Sequence, residues 1–511
     1  MTMSPRRSWA LLGLALLFTA PATARELPSP NRSRPAAATS AAPAGRIRAS
    51  DVLRAPRPTG GEWFGLYLQG KKVGYIYTHL EPVPNGDGTR ARLVSEYVFK
   101  AMVGGNPSER YLREERIYEA RPSGRLLSFT LEQRGDGGEQ TLEATATHEG
   151  LRVVRKRPGR PNQILTQPPS PETIEDADQA RTALIRNETV RGTITDSQDL
   201  KPYRVTSTLL GEETHTLAGV KTRLRRVRTV SEKEKVPVEA LITPEGAIVE
   251  IHFGPMLVAR AESAKTARDL EQVEVFGLTR VVLPSVIPES QARAVPGAIT
   301  FTLKGLPRSF HRDTHRQTYR VRPDGTVAVT IRARGPAKKT SKRPLTDPSG
   351  GTYLGHDLSV ESDHPDIRKL AQQIAGGEPD AWKAAVAVNR WVARNLKKAY
   401  GASADRATDV LAQRKGDCTE HSLLAVSLLR ALGIPAKRAD GVVYLRNDDG
   451  VPAFYWHEWV SVWTGSEWVD MDPTFNQTIA DATHLALGEE GSAEITPLIG
   501  QIAVTAVRVQ P

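Results

Sequence analysis

The only cysteine of the chain, Cys418, lies in the segment RKGDCTEHSLL, directly before an apolar run. A helix N-terminus and an imidazolium neighbour both lower the pKa of a thiol and so favour its nucleophilic thiolate form. The polar neighbours Asp417, Thr419 and Glu420 do not fit the apolar surroundings of an inert buried cysteine. We therefore predict that Cys418 is a reactive nucleophile at the start of a helix, with a lowered pKa.

Two later segments supply the base and the acid that a thiol nucleophile needs. His457 lies in YWHEWVSVW, 39 residues after Cys418, and Asp472 lies in EWVDMDPTF, 15 residues further on. Both segments read as strands joined by a short turn, and neighbouring strands lie ~4.8 Å apart, so the imidazole and the carboxylate can touch. The order predicts a relay in which His457 takes the thiol proton and a carboxylate orients His457. Asp470, on the same strand face as Asp472, is the rival carboxylate.

His421 lies one helical turn after Cys418, and the sequence leaves its role open. It could be a second base or a metal ligand, although an ordinary position in a first helical turn is the commoner interpretation. A zinc site built from Cys418, His421, His457 and Asp472 is chemically permissible but lacks a recognised ligand spacing. We therefore predict neither a resident metal nor a cofactor.

The N-terminus has the three zones of a secretory signal in the right order. Arg6 and Arg7 precede an apolar run over residues 9–18, and the triplet Ala22-Thr23-Ala24 follows. The run is too short to cross a bilayer core of ~30 Å. We expect cleavage before Arg25 and export to the periplasm or out of the cell, with no transmembrane segment in the mature chain.

Length and composition indicate several soluble domains. A chain of 511 residues is too long for one core, and 39% hydrophobic residues with a mean hydropathy of −0.38 exclude a polytopic membrane protein. A single cysteine excludes an intramolecular disulfide. We predict five segments: a signal peptide over 1–24, a disordered Pro/Ala-rich linker over 25–61, a β-rich, sandwich-like domain over 62–280, a smaller β-rich unit over 281–345, and an α+β domain over 356–511.

The change from β to α+β follows from the hydrophobic period. Short β-prone runs flank turn dipeptides such as Gln69-Gly70, and the turn Pro323-Asp324-Gly325 predicts a second hairpin. From Ile367 the apolar spacing becomes helical, and the run from Leu423 to Leu432 is apolar nearly all round. We expect this last helix to be buried at the centre of its domain, with a sheet after it.

The net charge of +11 is unevenly divided, since residues 356–511 hold 15 Lys/Arg and 21 Asp/Glu. Two basic clusters of the front part could hold an anionic envelope polymer, although solvated strand faces are the favoured interpretation, and contact with the acidic back part is a third. No nucleic-acid motif accompanies them, so we expect no nucleic-acid partner. The oligomeric state is open. The clusters are Arg152, Arg155, Lys156, Arg157 and Arg160, and Arg223, Arg225, Arg226 and Arg228.

Residues from about 356 to 480 resemble the transglutaminase-like superfamily, whose core has a papain-like fold. The resemblance rests on G-D-C-T-E-H before an apolar helix, on A-L-G-I-P-A-K-R leading to a strand, on W-H-E-W-V and on W-V-x-M-D-P-T. It implies that Cys418 is the nucleophile, His457 the base and Asp472 the orienting acid, because Asp470 lacks the Pro-Thr that follows the family's aspartate.

The resemblance implies a thiol-dependent acyl-transfer enzyme that acts on amide or peptide bonds of a protein or peptide substrate, and the signal peptide predicted above implies that this enzyme is exported. Water as the acceptor would give a cysteine peptidase or amidase, and an amine acceptor would give a transglutaminase-type crosslinker; the sequence does not decide between them. The alternative is a non-catalytic binding or scaffold protein of the cell envelope with a vestigial core, because a fold alone does not imply an activity.

Overall fold

The computed structural model describes most of the chain from Val52 onwards. The described residues are 52–53, 55–83, 90–103, 105–120, 123–135, 138–197, 200–217, 219–232, 237–336, 339–357, 359–399, 404, 406–446, 450–489, 498 and 500–510. The predicted signal peptide and most of the predicted linker lie outside them. Within them, Val52 is buried and the Arg57 guanidinium pairs with Asp178, so the chain joins the core before Gly61.

The front part of the chain forms one antiparallel sheet of fourteen strands in the order β8-β7-β6-β5-β4-β3-β2-β1-β14-β13-β12-β11-β10-β9. Its strands are β1 (Glu62–Leu68), β2 (Lys71–Pro82), β3 (Arg90–Val103), β4 (Asn106–Glu119), β5 (Leu126–Gly135), β6 (Gly138–Thr147), β7 (Gly150–Lys156), β8 (Gln163–Gln167), β9 (Val190–Thr195), β10 (Pro202–Leu217), β11 (Val220–Ser231), β12 (Val238–Ile242), β13 (Ile248–Phe253) and β14 (Leu257–Glu262).

Turn chemistry explains how this sheet begins. Gln69 and Gly70 join β1 to β2 with φ values of 48° and 78°, the left-handed pair that a tight hairpin needs. Short helices accompany the sheet, namely α1 (Ile174–Ala177), α2 (Gln179–Arg186) and α3 (Ala264–Arg268). The prediction of a mostly β front part is confirmed.

The back part of the chain is α+β, as predicted. Its helices are α4 (Glu289–Ala292), a 3₁₀ turn (Arg308–Phe310), α5 (Pro365–Ala375), α6 (Ala381–Asn395), α7 (Ala407–Gln413) and α8 (Cys418–Ala431). Its strands are β15 (Val281–Val282), β16 (Gly297–Lys304), β17 (Gln317–Val321), β18 (Val327–Ala333), β19 (Lys397–Lys398), β20 (Lys415–Gly416), β21 (Ala436–Arg446), β22 (Pro452–Trp463), β23 (Trp468–Met471), β24 (His484–Glu489) and β25 (Ala503–Gln510).

Helix α8 lies at the centre of this part, as its all-round apolar sequence predicts. Most of its residues are buried, and it packs on α5 to α7 and on β21 and β22. The main sheet has the order β15-β22-β21-β24, with β23 paired to β22. This sheet positions His457 and places the end of β23 next to it.

Two sheets cross the sequence-based boundary near residue 345. Strand β15 pairs with β22, and the C-terminal strand β25 pairs with β16 in the sheet β17-β18-β16-β25. One apolar core contains Phe301 and Val329 together with Leu485 and Leu498. The unit predicted over 281–345 therefore shares strands and core with residues 356–511. No helix in the part of the chain that the structure describes is long and apolar enough to cross a membrane.

Candidate active site

The start of α8 is held by reciprocal hydrogen bonds. Asp417 Oδ1 accepts the backbone N–H of Thr419 at 3.0 Å, and Glu420 Oε2 accepts the backbone N–H of Asp417 at 2.8 Å, which completes a capping box. A Cβ on Gly416 would lie 2.2 Å from the Cβ of Glu420, so the approach to the helix needs glycine. Cys418 is consequently fixed as the first residue of the helix.

The thiol of Cys418 is fully buried and its pKa is raised, contrary to the lowered pKa that the sequence suggested. Burial is the largest cause, and the carboxylates of Asp417 and Glu458 add to it. The backbone N–H of Glu458 acts in the opposite direction, because it favours the thiolate. Glu458 directly follows His457 in β22, so the thiol lies beside the segment that carries the predicted base.

His457 and Asp472 form the predicted imidazole–carboxylate pair. His457 Nε2 lies 2.8 Å from Asp472 Oδ2, and both side chains are fully buried. A carboxylate only accepts hydrogen bonds, so Nε2 carries the proton and Nδ1 carries the lone pair. Nδ1 is buried and has no hydrogen-bond partner among the described residues. Burial lowers the pKa of His457, which makes the neutral imidazole its resting form.

The carboxylate of Asp472 accepts four hydrogen bonds. Its Oδ1 accepts the backbone N–H groups of Thr474 at 2.7 Å and Phe475 at 3.1 Å, and its Oδ2 accepts His457 and also His484 at 3.1 Å. The two imidazoles keep the pKa of Asp472 well below its usual range despite complete burial.

The rival carboxylate, Asp470, is occupied elsewhere. It accepts the indole N–H of Trp459 at 2.9 Å and pairs with Arg316 and His315 at 3.3 Å each. Although burial raises it, the contacts with His315 and Arg316 hold the pKa of Asp470 well below its usual range. Asp472, and not Asp470, is therefore the carboxylate that accepts the hydrogen bond of His457.

His421 is a buried residue of the first turn of α8 rather than a surface one. Its Nδ1 donates to the Asp417 carbonyl at 2.6 Å, so its Nε2 carries the lone pair, and Nε2 has no partner among the described residues. Burial lowers the pKa of His421 to about 4. His421 is thus a neutral imidazole near His457 and Asp472.

The group of possible metal-ligand atoms that the structure brings together differs from the zinc set considered, and not predicted, in the sequence. The ligand atoms of His457, Asp472 and His484 lie within 4.8 Å of one another, which is the grouping the structure shows among its described residues. Cys418 and His421 are not part of it. In this group Asp472 Oδ2 already accepts hydrogen bonds from both imidazoles, at 2.8 and 3.1 Å.

Phe475 and Lys398 lie at the outer side of His457. The Phe475 ring stacks on the imidazole with 4.9 Å between ring centroids, and the ammonium of Lys398 lies 5.4 Å from the Phe475 centroid. Phe475 is only partly buried, and Lys398 is exposed. Trp456 and Trp459 of β22 are buried in the protein interior.

The basic clusters of the front part are largely neutralised by neighbouring carboxylates. Arg223 and Arg225 pair with Glu212 at 3.0 and 3.2 Å. Arg226 and Arg228 both pair with Glu239 at 2.7 Å. The salt bridges leave these clusters far less positive than their sequence suggests.

The other basic cluster reaches the back part of the chain. Arg160 lies 2.6 Å and Arg157 3.3 Å from the carboxylate of Asp409 in α7. This contact matches the third interpretation of the charge division, in which the basic front binds the acidic back.

His484 and Asp481 were missed at the sequence level. His484 Nδ1 lies 3.1 Å from Asp481 Oδ1, and its other nitrogen contacts Asp472. The segment D-A-T-H, a few residues after D-P-T, is the signal that could have drawn attention to them.

Part of the chain matches a known protein family. The model of the transglutaminase-like superfamily matches residues 368–473, which include Cys418, His457 and Asp472. An uncharacterized protein of Mycobacterium tuberculosis is 26% identical over 220 residues, covering 38% of this chain and 68% of that protein.

Two solved structures are similar over parts of the chain. A proposed cysteine protease of Cytophaga hutchinsonii is 16% identical, with a TM-score of 0.30, over 42% of this chain and 86% of that one. A β-barrel-like protein of Brucella abortus, from a domain family of unknown function, is 11% identical, with a TM-score of 0.29, over 39% of this chain and 94% of that one.

Proposed function

Because residues 368–473 form a domain of the transglutaminase-like superfamily, we propose that the protein is an exported thiol-dependent acyl-transfer enzyme that acts on amide or peptide bonds. Cys418 is the nucleophile, His457 the base and Asp472 the residue that orients the base. The observation that carries this proposal is the tautomer of His457: Asp472 holds the Nε2 proton, and a buried Nδ1 lone pair is left without a partner among the described residues. An unpaired buried polar atom costs about 1–3 kcal/mol of folding stability. We therefore infer that the Nδ1 lone pair of His457 serves as the catalytic base.

The chemistry follows from the neutral resting forms of both groups. The Cys418 S–H bond breaks as its proton moves to His457 Nδ1, and the sulfur attacks the substrate carbonyl carbon, whose π electrons move to oxygen. When the tetrahedral intermediate collapses, the C–N bond breaks and Nδ1–H protonates the leaving amine. A thioester on Cys418 results.

Release of the acyl group regenerates the enzyme. Water or a primary amine attacks the thioester while His457 Nδ1 takes a proton from it, and the proton returns to the departing sulfur. Asp472 stays ionised throughout and stabilises the imidazolium that forms in each half-reaction. Hydrolysis would make the protein a peptidase or amidase, and an amine acceptor would make it a crosslinker.

One observation favours the alternative of a non-catalytic binding or scaffold protein. Cys418 is fully buried, and the carboxylates of Asp417 and Glu458 raise the pKa of its thiol together with burial. A vestigial core would keep the Cys418, His457 and Asp472 side chains as packing and hydrogen-bonding groups. An enzyme must instead open this site to a substrate.

A substrate screen with product analysis tests the proposal. The mature chain is incubated with a mixture of end-blocked peptides, with and without a primary amine, and products are followed by mass spectrometry together with any acyl adduct on Cys418. We expect amide cleavage or amine incorporation that disappears in Cys418→Ala. Ser422→Ala is a matched control, because it removes one buried heteroatom from the same helix and its hydroxyl has no partner among the described residues.

The outcomes separate the two functions. Products from the native chain and from Ser422→Ala, and none from Cys418→Ala, support the enzyme. A folded native chain that forms neither product nor adduct across the peptide mixture supports the scaffold. Export is tested separately, by sequencing the N-terminus of protein recovered from outside the cytoplasm, which should begin at Arg25.

A further inference from the structure

His484 contacts the relay through Asp472. It begins β24, is fully buried, and contacts a carboxylate with each ring nitrogen. Nε2 lies 3.1 Å from Asp472 Oδ2, the same oxygen that accepts His457, and Nδ1 lies 3.1 Å from Asp481 Oδ1. Asp481 is itself held by Arg293 and by Gln477.

The two carboxylates that contact His484 determine how many protons its ring carries. Ionised carboxylates only accept hydrogen bonds, so both nitrogens of His484 must donate, and a ring with two N–H groups is an imidazolium. Asp481 Oδ2 pairs with the Arg293 guanidinium at 2.5 Å and its Oδ1 also accepts the backbone N–H of Thr483 at 2.9 Å, while Asp472 Oδ1 accepts two backbone N–H groups. These donors favour the ionised form of both carboxylates independently of His484. Both carboxylates are therefore acceptors at neutral pH.

We propose that His484 is a positioning residue of the acyl-transfer site, a buried imidazolium that fixes Asp472 and offsets its charge so that His457 rests as a neutral base. The proposal rests on the proposed function, and it deepens the account of that same site. The carboxylates raise the pKa of His484 against its burial. The charge of His484 in turn helps to lower the pKa of His457, for which burial is the main cause.

Lys398 also helps to lower the pKa of His457, and its effect is smaller than that of His484. Trp459 packs edge-on to its ring at 5.2 Å, and the His457 ring lies 5.7 Å away. Strand β21 places Val443 opposite it, and Arg316 reaches this loop through the Asp481 carbonyl. Removal of the imidazolium would leave the Asp472 oxygen that binds His457 without the neighbouring charge of His484. The pKa of His457 should then rise.

Nuclear magnetic resonance on the full mature chain tests the charge directly. With ¹⁵N-labelled histidine, the His484 ring should show two protonated nitrogens at pH 8, where an ordinary histidine with a pKa near 6.5 is neutral. The signal is assigned by its loss in His484→Gln. A neutral ring at pH 8 would overturn the proposal. This measurement needs no substrate, so it stands even where the proposed function fails.

The pH profile of the site tests the positioning role. In His484→Gln we expect the acid limb of kcat/KM to move up by about one pH unit, a tenfold change in the protonation equilibrium of His457. Alkylation of Cys418 by iodoacetamide at pH 6.5 should rise by about the same factor, since a more basic His457 stabilises the thiolate. The alkylation arm again needs no substrate.

Matched variants separate positioning from packing. His315→Gln makes the same change beside the neighbouring carboxylate Asp470, and it should leave both profiles unmoved. If His484→Gln does not fold, the double variant His484→Gln/Asp481→Asn removes one charge of each sign and is measured instead. A folded variant whose acid limb and alkylation profile equal those of the native chain would overturn the positioning role.

Discussion

The ring of Phe475 lies on the imidazole of His457 with 4.9 Å between centroids and 28° between ring planes. The backbone N–H of the same Phe475 donates to Asp472, so one residue both covers the base and binds the acid that orients it. Phe475 is partly exposed, whereas His457 and Asp472 are fully buried. Its side chain is thus a cover between solvent and the relay.

Phe475→Ala should open the site. We expect iodoacetamide to alkylate Cys418 several-fold faster, because removal of the ring uncovers His457 and the space beside it, while the backbone hydrogen bond to Asp472 persists. Mass spectrometry follows the adduct. Phe276→Ala is the control, since Phe276 stacks on Tyr455, two positions before His457 in β22, and the variant loses a ring of the same size. Equal acceleration in both variants would point to general loosening of the fold.

The thiol of Cys418 should lose its proton only at high pH. Because burial and the carboxylates of Asp417 and Glu458 raise the pKa of Cys418, alkylation should keep rising beyond pH 9 and not level off near neutrality. Cys418 is the only cysteine, so the signal is unambiguous. Glu458→Gln removes one of the charges and should move the profile to lower pH. A native profile that is flat between pH 6 and 8 would instead show a resting thiolate–imidazolium pair.

Replacement of the two aspartates near the end of β23 should have different effects, one on catalysis and the other on stability. Asp472→Asn should lower kcat by about a thousandfold or more, because the amide no longer fixes the His457 tautomer. Asp470→Asn should mainly lower the thermal midpoint, since it weakens the contacts to Arg316 and His315. Steady-state kinetics and thermal unfolding are measured on both. The assignment would reverse if Asp470→Asn proved the more damaging change to kcat at an unchanged midpoint.

Local signals in the sequence predict local structure well. The Gln69-Gly70 turn and the apolar run after Cys418 each specify an element through nearest neighbours, and the structure has both. The D-P-T pattern likewise separates Asp472 from Asp470, because it concerns the residues that supply backbone N–H groups to the carboxylate.

Features that depend on distant segments could not be read in this way. The pKa of Cys418 depends on Glu458, which lies on β22, and on burial, which depends on the packing of the whole core. The pairing of β16 with β25 joins segments about two hundred residues apart, and neither strand carries a pattern that selects the other. The role of His484 could be inferred only from the structure, in which the start of β24 lies beside Asp472.

Truncation should expose this dependence on distant strands. A chain that begins at residue 356 lacks β15 to β18, so β25 loses its pairing partner and the core loses Phe301, which packs on Phe454 with 4.7 Å between centroids. Each fully buried large apolar side chain is worth about 1.5–3 kcal/mol, so several such losses exceed what a small domain can spare. We expect the fragment 356–511 to show no cooperative thermal transition.

A longer fragment serves as the matched comparison. Residues 270–511 keep β15 to β18 and the segment whose Thr279 carbonyl accepts the indole N–H of Trp456 at 2.8 Å, but they lose the large front sheet. This fragment should unfold cooperatively at a lower midpoint than the mature chain, because Tyr455 and its neighbours pack against that sheet. Circular dichroism and calorimetry on the three chains decide the matter. A cooperative transition in 356–511 at the midpoint of 270–511 would mean that β16 to β18 form a separate unit after all.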